Sequence, residues 1–133
     1  MEKIICDTDV LIDYFDTSKP RHYSTVQIVN NEIGLDNVII SAITKMELIA
    51  GAANKIELRL LNKNIGRFNV LLINPALCSV ALTLMENYRL SHKLDIPDAL
   101  IAATAKYAGF KLFTYNVKDY KFINDLNLYK LNQ

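Results

Sequence analysis

The chain contains no tryptophan, and its 133 residues include only two cysteines, two histidines, three prolines and four glycines. Cys6 and Cys78 are too few for a disulfide framework, so the chain reads as cytoplasmic with reduced thiols. His22 and His92 leave little room for a histidine-rich zinc centre. The sparse glycine and proline argue against linkers and low-complexity tracts, and no repeat interrupts the chain. No apolar run approaches the ~20 residues that span a bilayer, so no membrane partner is expected. The acid at Asp7 comes too early for a secretory signal peptide. Net charge is only +1, so any nucleic-acid role must rest on local patches. What is present is ordinary globular composition, 51% apolar and 22% charged, at the length of one domain spanning 1–133.

Short apolar runs alternate with helical patterns. Lys3–Cys6, Asn37–Ser41, Val70–Ile73 and Lys111–Thr114 read as strands, and Leu128–Leu131 as a possible fifth. Helices are predicted from Val10 onward, over Pro20–Gly34, over Ala42–Ala53 behind Ser41 as N-cap, and over Lys55–Phe68. Asn74-Pro75 starts another, whose buried face carries Leu77, Val80, Ala81, Leu84 and Tyr88. A last one follows Asp95-Ile96-Pro97-Asp98 and is apolar nearly all round from Ala99 to Ala105, as core helices are, with Gly109 closing it. Such alternation predicts an α/β fold with a parallel sheet covered on both faces by helices.

Open α/β sheets bind ligands outside the carboxyl ends of their strands. Asp7-Thr8-Asp9 follows the first strand there, Glu47 follows the second, and Asp98 starts the helix leading to the fourth. Thr114, Asn116 and Asp119 follow the fourth strand itself. Each acid also has an ordinary structural reading: Asp7 as a helix cap, Asp98 as a first-turn acid, Glu47 as a solvated side chain, Asp119 as a turn former. Gathered at one sheet edge, they would repel one another unless a cation joins them. An oxygen-only donor set selects Mg²⁺ or Mn²⁺, and such an ion suits phosphodiester hydrolysis.

The residues resemble a known family. Ile5 to Asp13, Ile40 to Leu48, Asp98 to Ala105 and Phe113 to Tyr120 are similar, in order, to the four motifs of PIN-domain proteins. The chain length resembles the VapC-type toxins of toxin–antitoxin pairs. The resemblance implies a single PIN domain, a three-layer α/β/α sandwich with a mostly parallel sheet of four or five strands, Rossmann-like in its winding. It implies a Mg²⁺- or Mn²⁺-dependent endoribonuclease in which Asp7, Glu47 and Asp98 are the catalytic, metal-holding acids. Asp9 and Thr114 would support them, and Asn116 or Asp119 would fill a fourth position where many members carry an Asp in place of Asn116. Attack by water on the phosphorus would leave a 5′-phosphate and a 3′-hydroxyl. The resemblance also implies a structured RNA substrate such as tRNA or rRNA, a cognate antitoxin and a homodimer.

Lys55, Arg59, Lys63 and Arg67 recur every four residues and form a basic stripe, with Leu58, Leu61 and Ile65 on the other side of that helix. The stripe reads either as phosphate contacts or as a solvated face, and Lys45, two residues before Glu47, is a further RNA contact candidate. Tyr14, Phe15 and Tyr23 read as core, as a partner groove or as base-stacking residues. Two other functions compete: a PIN domain without activity that binds RNA or protein, and a haloacid-dehalogenase-like phosphatase. The second shares Asp-x-Asp after a first strand but lacks the expected Gly-Thr and paired Asp-Asp.

Overall fold

A computed structural model describes residues 2–131. The elements run β1 (Ile4–Cys6), α1 (Thr8–Phe15), α2 (His22–Gln27), β2 (Val38–Ser41), α3 (Ala42–Ala50), α4 (Lys55–Ile65), β3 (Asn69–Leu71), α5 (Pro75–His92), α6 (Ile96–Ala108) and β4 (Lys111–Phe113). The four strands form one parallel sheet in the order β3-β2-β1-β4. Ile4 and Ile5 pair with Val38 and Ile39 on one side and with Lys111 and Leu112 on the other. β1 is therefore central and wholly buried, which explains its unbroken apolar run.

Side-chain alternation divides the core into two layers. Ile5, Ile39 and Leu112 face α5 and α6 and meet Leu77, Leu84, Ala99 and Ala102. Ile4, Cys6, Val38, Ile40 and Phe113 face the other way, onto Val10, Leu11, Val29, Ile65 and Phe68. The small, fully buried Ala102, Ala103 and Ala105 let α6 lie close against the sheet, as its all-round apolar sequence requires. Three starts follow the capping expectations: Asp7 caps α1, Ser41 caps α3, and Asn74 caps α5 with Pro75 in the first turn.

Several boundaries differ from expectation. The helix expected over Pro20–Gly34 begins at His22 and widens into a π-helical segment over Ile28–Ile33, ending at Gly34 with φ 91°. α3 stops at Ala50 rather than Ala53, with Gly51 as its C-cap. α4 stops at Ile65 rather than Phe68, with Gly66 as its C-cap. β3 is Asn69–Leu71 rather than Val70–Ile73, and Leu72 and Ile73 lie exposed. The fifth strand is reduced to a single parallel bridge between Leu112 and Leu128, so the sheet has four strands. Among the described residues no helix is long and apolar enough to cross a membrane.

Candidate active site

The sheet order reverses direction between β1 and β4, and there the carboxyl ends of the two strands leave a crevice. Asp7 sits in it, 5% exposed, one residue past β1. One oxygen accepts the Thr8 N–H at 2.8 Å, and the other accepts the Thr114 hydroxyl at 2.8 Å. Asp7 is thus both the cap of α1 and a buried acid fixed from both sides, so the two readings of this residue hold together. Burial, then the charge of Asp9, push its carboxyl up to about 6.

Asp98 lies half-buried in the first turn of α6. It accepts the phenol of Tyr120 at 3.1 Å. Burial raises its carboxyl to about 6, the phenol pulls the other way, and the charges of Asp7 and Asp119 add to the rise. The same phenol lowers the proton affinity of Asp7, so the buried Tyr120 stands between the two acids. Glu47 joins them indirectly. Thr8 Oγ1 donates to its Oε1 at 2.6 Å and lies 3.0 Å from the Thr44 hydroxyl, which is fully buried. Thr8, adjacent to Asp7, thereby ties the exposed end of α3 to the acid crevice.

Asp9 is held by two backbone N–H groups. Its two oxygens accept the N–H groups of Val10 at 2.8 Å and Tyr115 at 3.0 Å. It pins the segment after β4 to the start of α1, and its charge raises the proton affinity of Asp7. Around it, Arg21 pairs with the buried Asp13 at 2.7 Å and lies 4.0 Å over the Tyr115 ring. Asn116 is exposed, and its N–H donates to Thr114 Oγ1 at 3.0 Å. Asp119 is less exposed, and its charge is felt at Asp98.

The basic candidates stand apart. Lys55, Arg59 and Lys63 are exposed on α4, and Lys45 is half-buried on α3. The structure gives none of the four a contact with the acids among the described residues. Tyr14 is core, edge-on to Phe15 and Phe68, whereas Tyr23 is exposed. Tyr120 and Thr8 are the site residues that sequence reasoning passed over. Their signal was an aromatic hydroxyl next to Asp119 and a hydroxyl wedged between Asp7 and Asp9.

Among the described residues no three acids, histidines or cysteines form a closed metal cage as the side chains lie. The donor set still fits Mg²⁺ or Mn²⁺. Mg²⁺ keeps several waters and is usually held by one or two carboxylates together with substrate phosphate. Asp7 and Asp98, two acids whose proton affinities are raised by burial and by neighbouring charge, would form such a pair.

A parallel sheet in this order, with acids at its switch point, defines an α/β domain built for chemistry at the strand ends. Residues 4–122 match the PIN domain family, and the chain belongs to it. Ribonuclease VapC19 of Mycobacterium tuberculosis is 27% identical over 123 residues, which is 92% of this chain and 95% of that protein. A chain of a toxin–antitoxin complex from Klebsiella pneumoniae shares the fold at TM-score 0.75 and 27% identity, over 97% of this chain and 100% of that one. VapBC-1 from nontypeable Haemophilus influenzae matches at TM-score 0.73 and 25% identity, over 95% of this chain and 96% of that one.

Proposed function

We propose that the protein is a divalent-metal-dependent endoribonuclease and the toxin of a VapC-type toxin–antitoxin pair. The observation that carries this reading is the Asp7–Tyr120–Asp98 arrangement at the sheet's switch point, with Glu47 tied in through Thr8. The naming of its relatives as a ribonuclease and as toxin–antitoxin proteins supports it.

Asp7 and Asp98 would hold the cation, with Glu47 beside them and Asp119 or Asn116 as the fourth donor. When bound, Mg²⁺ or Mn²⁺ supplies the charge that makes a nearby water acidic enough to attack and that offsets negative charge growing on the phosphate. The chain's own residues arrange this. Thr114 and the Thr8 amide leave Asp7 no freedom to rotate, so its position costs little ordering when substrate arrives. Tyr120 favours the ionised form of Asp98 by donating to it, against the effect of burial. Glu47, exposed but tethered, faces the solvent side of the crevice, where it can accept a proton from the attacking water. The same acids oppose RNA entry until a cation offsets their charge, which ties substrate binding to metal binding.

A groove of about 440 Å³ supports the antitoxin part of the reading. Ile12, Phe15, Leu48, Leu60 and Leu61 line it, and Glu47 lies at its border. An amphipathic segment of the partner would cover these side chains and approach the acids at that border. Leu82 and Leu90, exposed on α5, offer an apolar surface for a second copy of the chain. The phosphatase alternative has less support. Its second acid would have to donate a proton, and both oxygens of Asp9 are taken by backbone N–H groups. The inactive binding module is separated by experiment. Purified protein should cut RNA with Mg²⁺ or Mn²⁺ and stop in EDTA. Tight RNA binding with no cleavage at any metal concentration would establish the binding module instead.

A further inference from the structure

A second cleft opens directly onto the acids from the opposite face of the sheet to the antitoxin groove. It has a volume of about 600 Å³ and is lined by Glu47, Met85, Arg89, Asp95, Ile96, Pro97 and Asp98. Two of these are the acids of the proposed active site. The others come from the second half of α5 and from the N-cap and first turn of α6. Arg89 is the one basic residue of the lining.

The way Arg89 is held matters. Its Nη1 reaches the carbonyls of Lys93 and Leu94 at 3.3 Å each and Asp95 Oδ1 at 3.0 Å. These bonds all use one nitrogen. Nε and Nη2 have no hydrogen-bond partner among the described residues, and the side chain is 53% exposed. The pair with Asp95, itself 71% exposed, is a surface pair and neutralises the guanidinium only weakly. A cation fixed on one side and open on the other is preorganised for a bidentate anion. Beside it, Met85, the exposed Ile96 and Pro97 make a short apolar wall.

We propose that this cleft seats the nucleotide adjoining the scissile phosphate. Arg89 binds that nucleotide's phosphate through its free edge, and the wall of Met85, Ile96 and Pro97 takes the sugar and base. The inference rests on the ribonuclease reading and adds a substrate-binding residue outside the acids. The free edge of Arg89 selects the occupant. Three carboxylates line the cleft, so a polyanion can enter only where a fixed cation receives it, and an apolar wall beside a phosphate site suits a single-stranded nucleotide.

The test uses the full chain, a fluorescein-labelled single-stranded RNA and Mg²⁺. Cleavage gives kcat and KM, and anisotropy with Mg²⁺ in the cleavage-deficient Glu47→Gln background over a salt series gives affinity. Arg89→Met should raise KM about tenfold, leave kcat within about threefold, and flatten the salt dependence of binding by about one phosphate contact. Arg89→Lys should recover the salt dependence but only part of the affinity, because a point charge does not replace the planar fork. Arg89 also caps the α5–α6 turn, so a variant outside that role is needed. Ile96→Glu places an acid at an exposed first-turn position, where it complements the helix dipole and keeps the fold stable. It should weaken RNA binding about tenfold or more through repulsion. Wild-type KM and salt dependence in both Arg89→Met and Ile96→Glu would overturn the assignment. Unchanged RNA binding in Ile96→Glu together with loss of a dimer would overturn it in favour of a contact between copies. If the unmodified protein cuts no RNA with either metal, the ribonuclease reading itself fails, which is a separate result.

Discussion

The phenol of Tyr120 donates to Asp98 at 3.1 Å while lowering the proton affinity of Asp7, so one buried hydroxyl serves both acids across the switch point. Removing it by Tyr120→Phe takes away a donor that favours the ionised form of Asp98. Its carboxyl should then bind a proton more readily. The acid limb of the pH–activity profile should move to higher pH, with about a tenfold loss of activity near pH 6. An unmoved acid limb would show that Tyr120 only fills space.

The acids themselves should be indispensable to cleavage. Asp7→Asn, Asp98→Asn and Glu47→Gln each keep shape and remove charge. Each should lower kcat by more than about 100-fold, since even groups behind a metal ligand commonly contribute 10–100-fold. Circular dichroism should remain that of the unmodified protein. An active Asp98→Asn enzyme would mean that Asp98 serves only its helix.

The metal-free protein should be less stable at neutral pH than in mild acid. Asp7 and Asp98 titrate near 6 when folded, above the ordinary carboxylate range near 4. The folded state therefore holds protons that the unfolded state releases. Stability from these two groups is complete below about pH 4 and is lost as pH rises through about 6. For Asp7 the loss is of order ~2–3 kcal/mol. Thermal melts in EDTA should show Asp7→Asn melting higher than the unmodified chain at pH 7.5, with the gap closing toward pH 4.5. Mg²⁺ should raise the melting temperature of the unmodified chain at pH 7.5 and not that of Asp7→Asn. Identical melting of the two chains in EDTA at pH 7.5 would contradict the buried charge at Asp7.

The fourth position should fall to Asp119 rather than Asn116. Asp119 is close enough for its charge to act on Asp98, whereas Asn116 is exposed and engages Thr114 through its backbone. Asp119→Asn should weaken Mg²⁺ binding and cost activity on the scale of Glu47→Gln, while Asn116→Ala should cost little. Asn116→Asp should tighten Mg²⁺ only where residue 116 faces the ion. Metal titration of the three variants decides, and the reverse order would assign the role to Asn116.

Much of this architecture was legible because local chemistry carried it. Ser41, Asn74 with Pro75, and the Gly109 stop marked helix ends by backbone hydrogen bonding, and the caps stand where those residues do. The fully buried β1 and the apolar α6 announced themselves as runs without polar breaks. Boundaries at the periphery were less legible. β3 is an edge strand only partly covered, so its apolar run extends past the paired residues into the exposed Leu72 and Ile73. At the other edge the Leu128 segment pairs once, through Leu112 N–H to the Asn127 carbonyl and Tyr129 N–H to that of Leu112.

The amino-acid sequence by itself determined the order of elements, the parallel sheet and the edge at which Asp7, Glu47, Asp98 and Asp119 would gather, because strand alternation and helix signals are short-range. Only the tertiary structure decided which neighbours those acids have. Thr114 reaches Asp7 across 107 residues, Thr8 reaches Glu47 across 39, and Tyr120 turns back 22 residues to Asp98. The same packing turns Asp9 toward the Tyr115 amide, 106 residues away in the chain. A hydroxyl has no periodicity that identifies its partner. Its bond depends on which strands lie side by side and on how closely the helices settle against them, and those are properties of the assembled core.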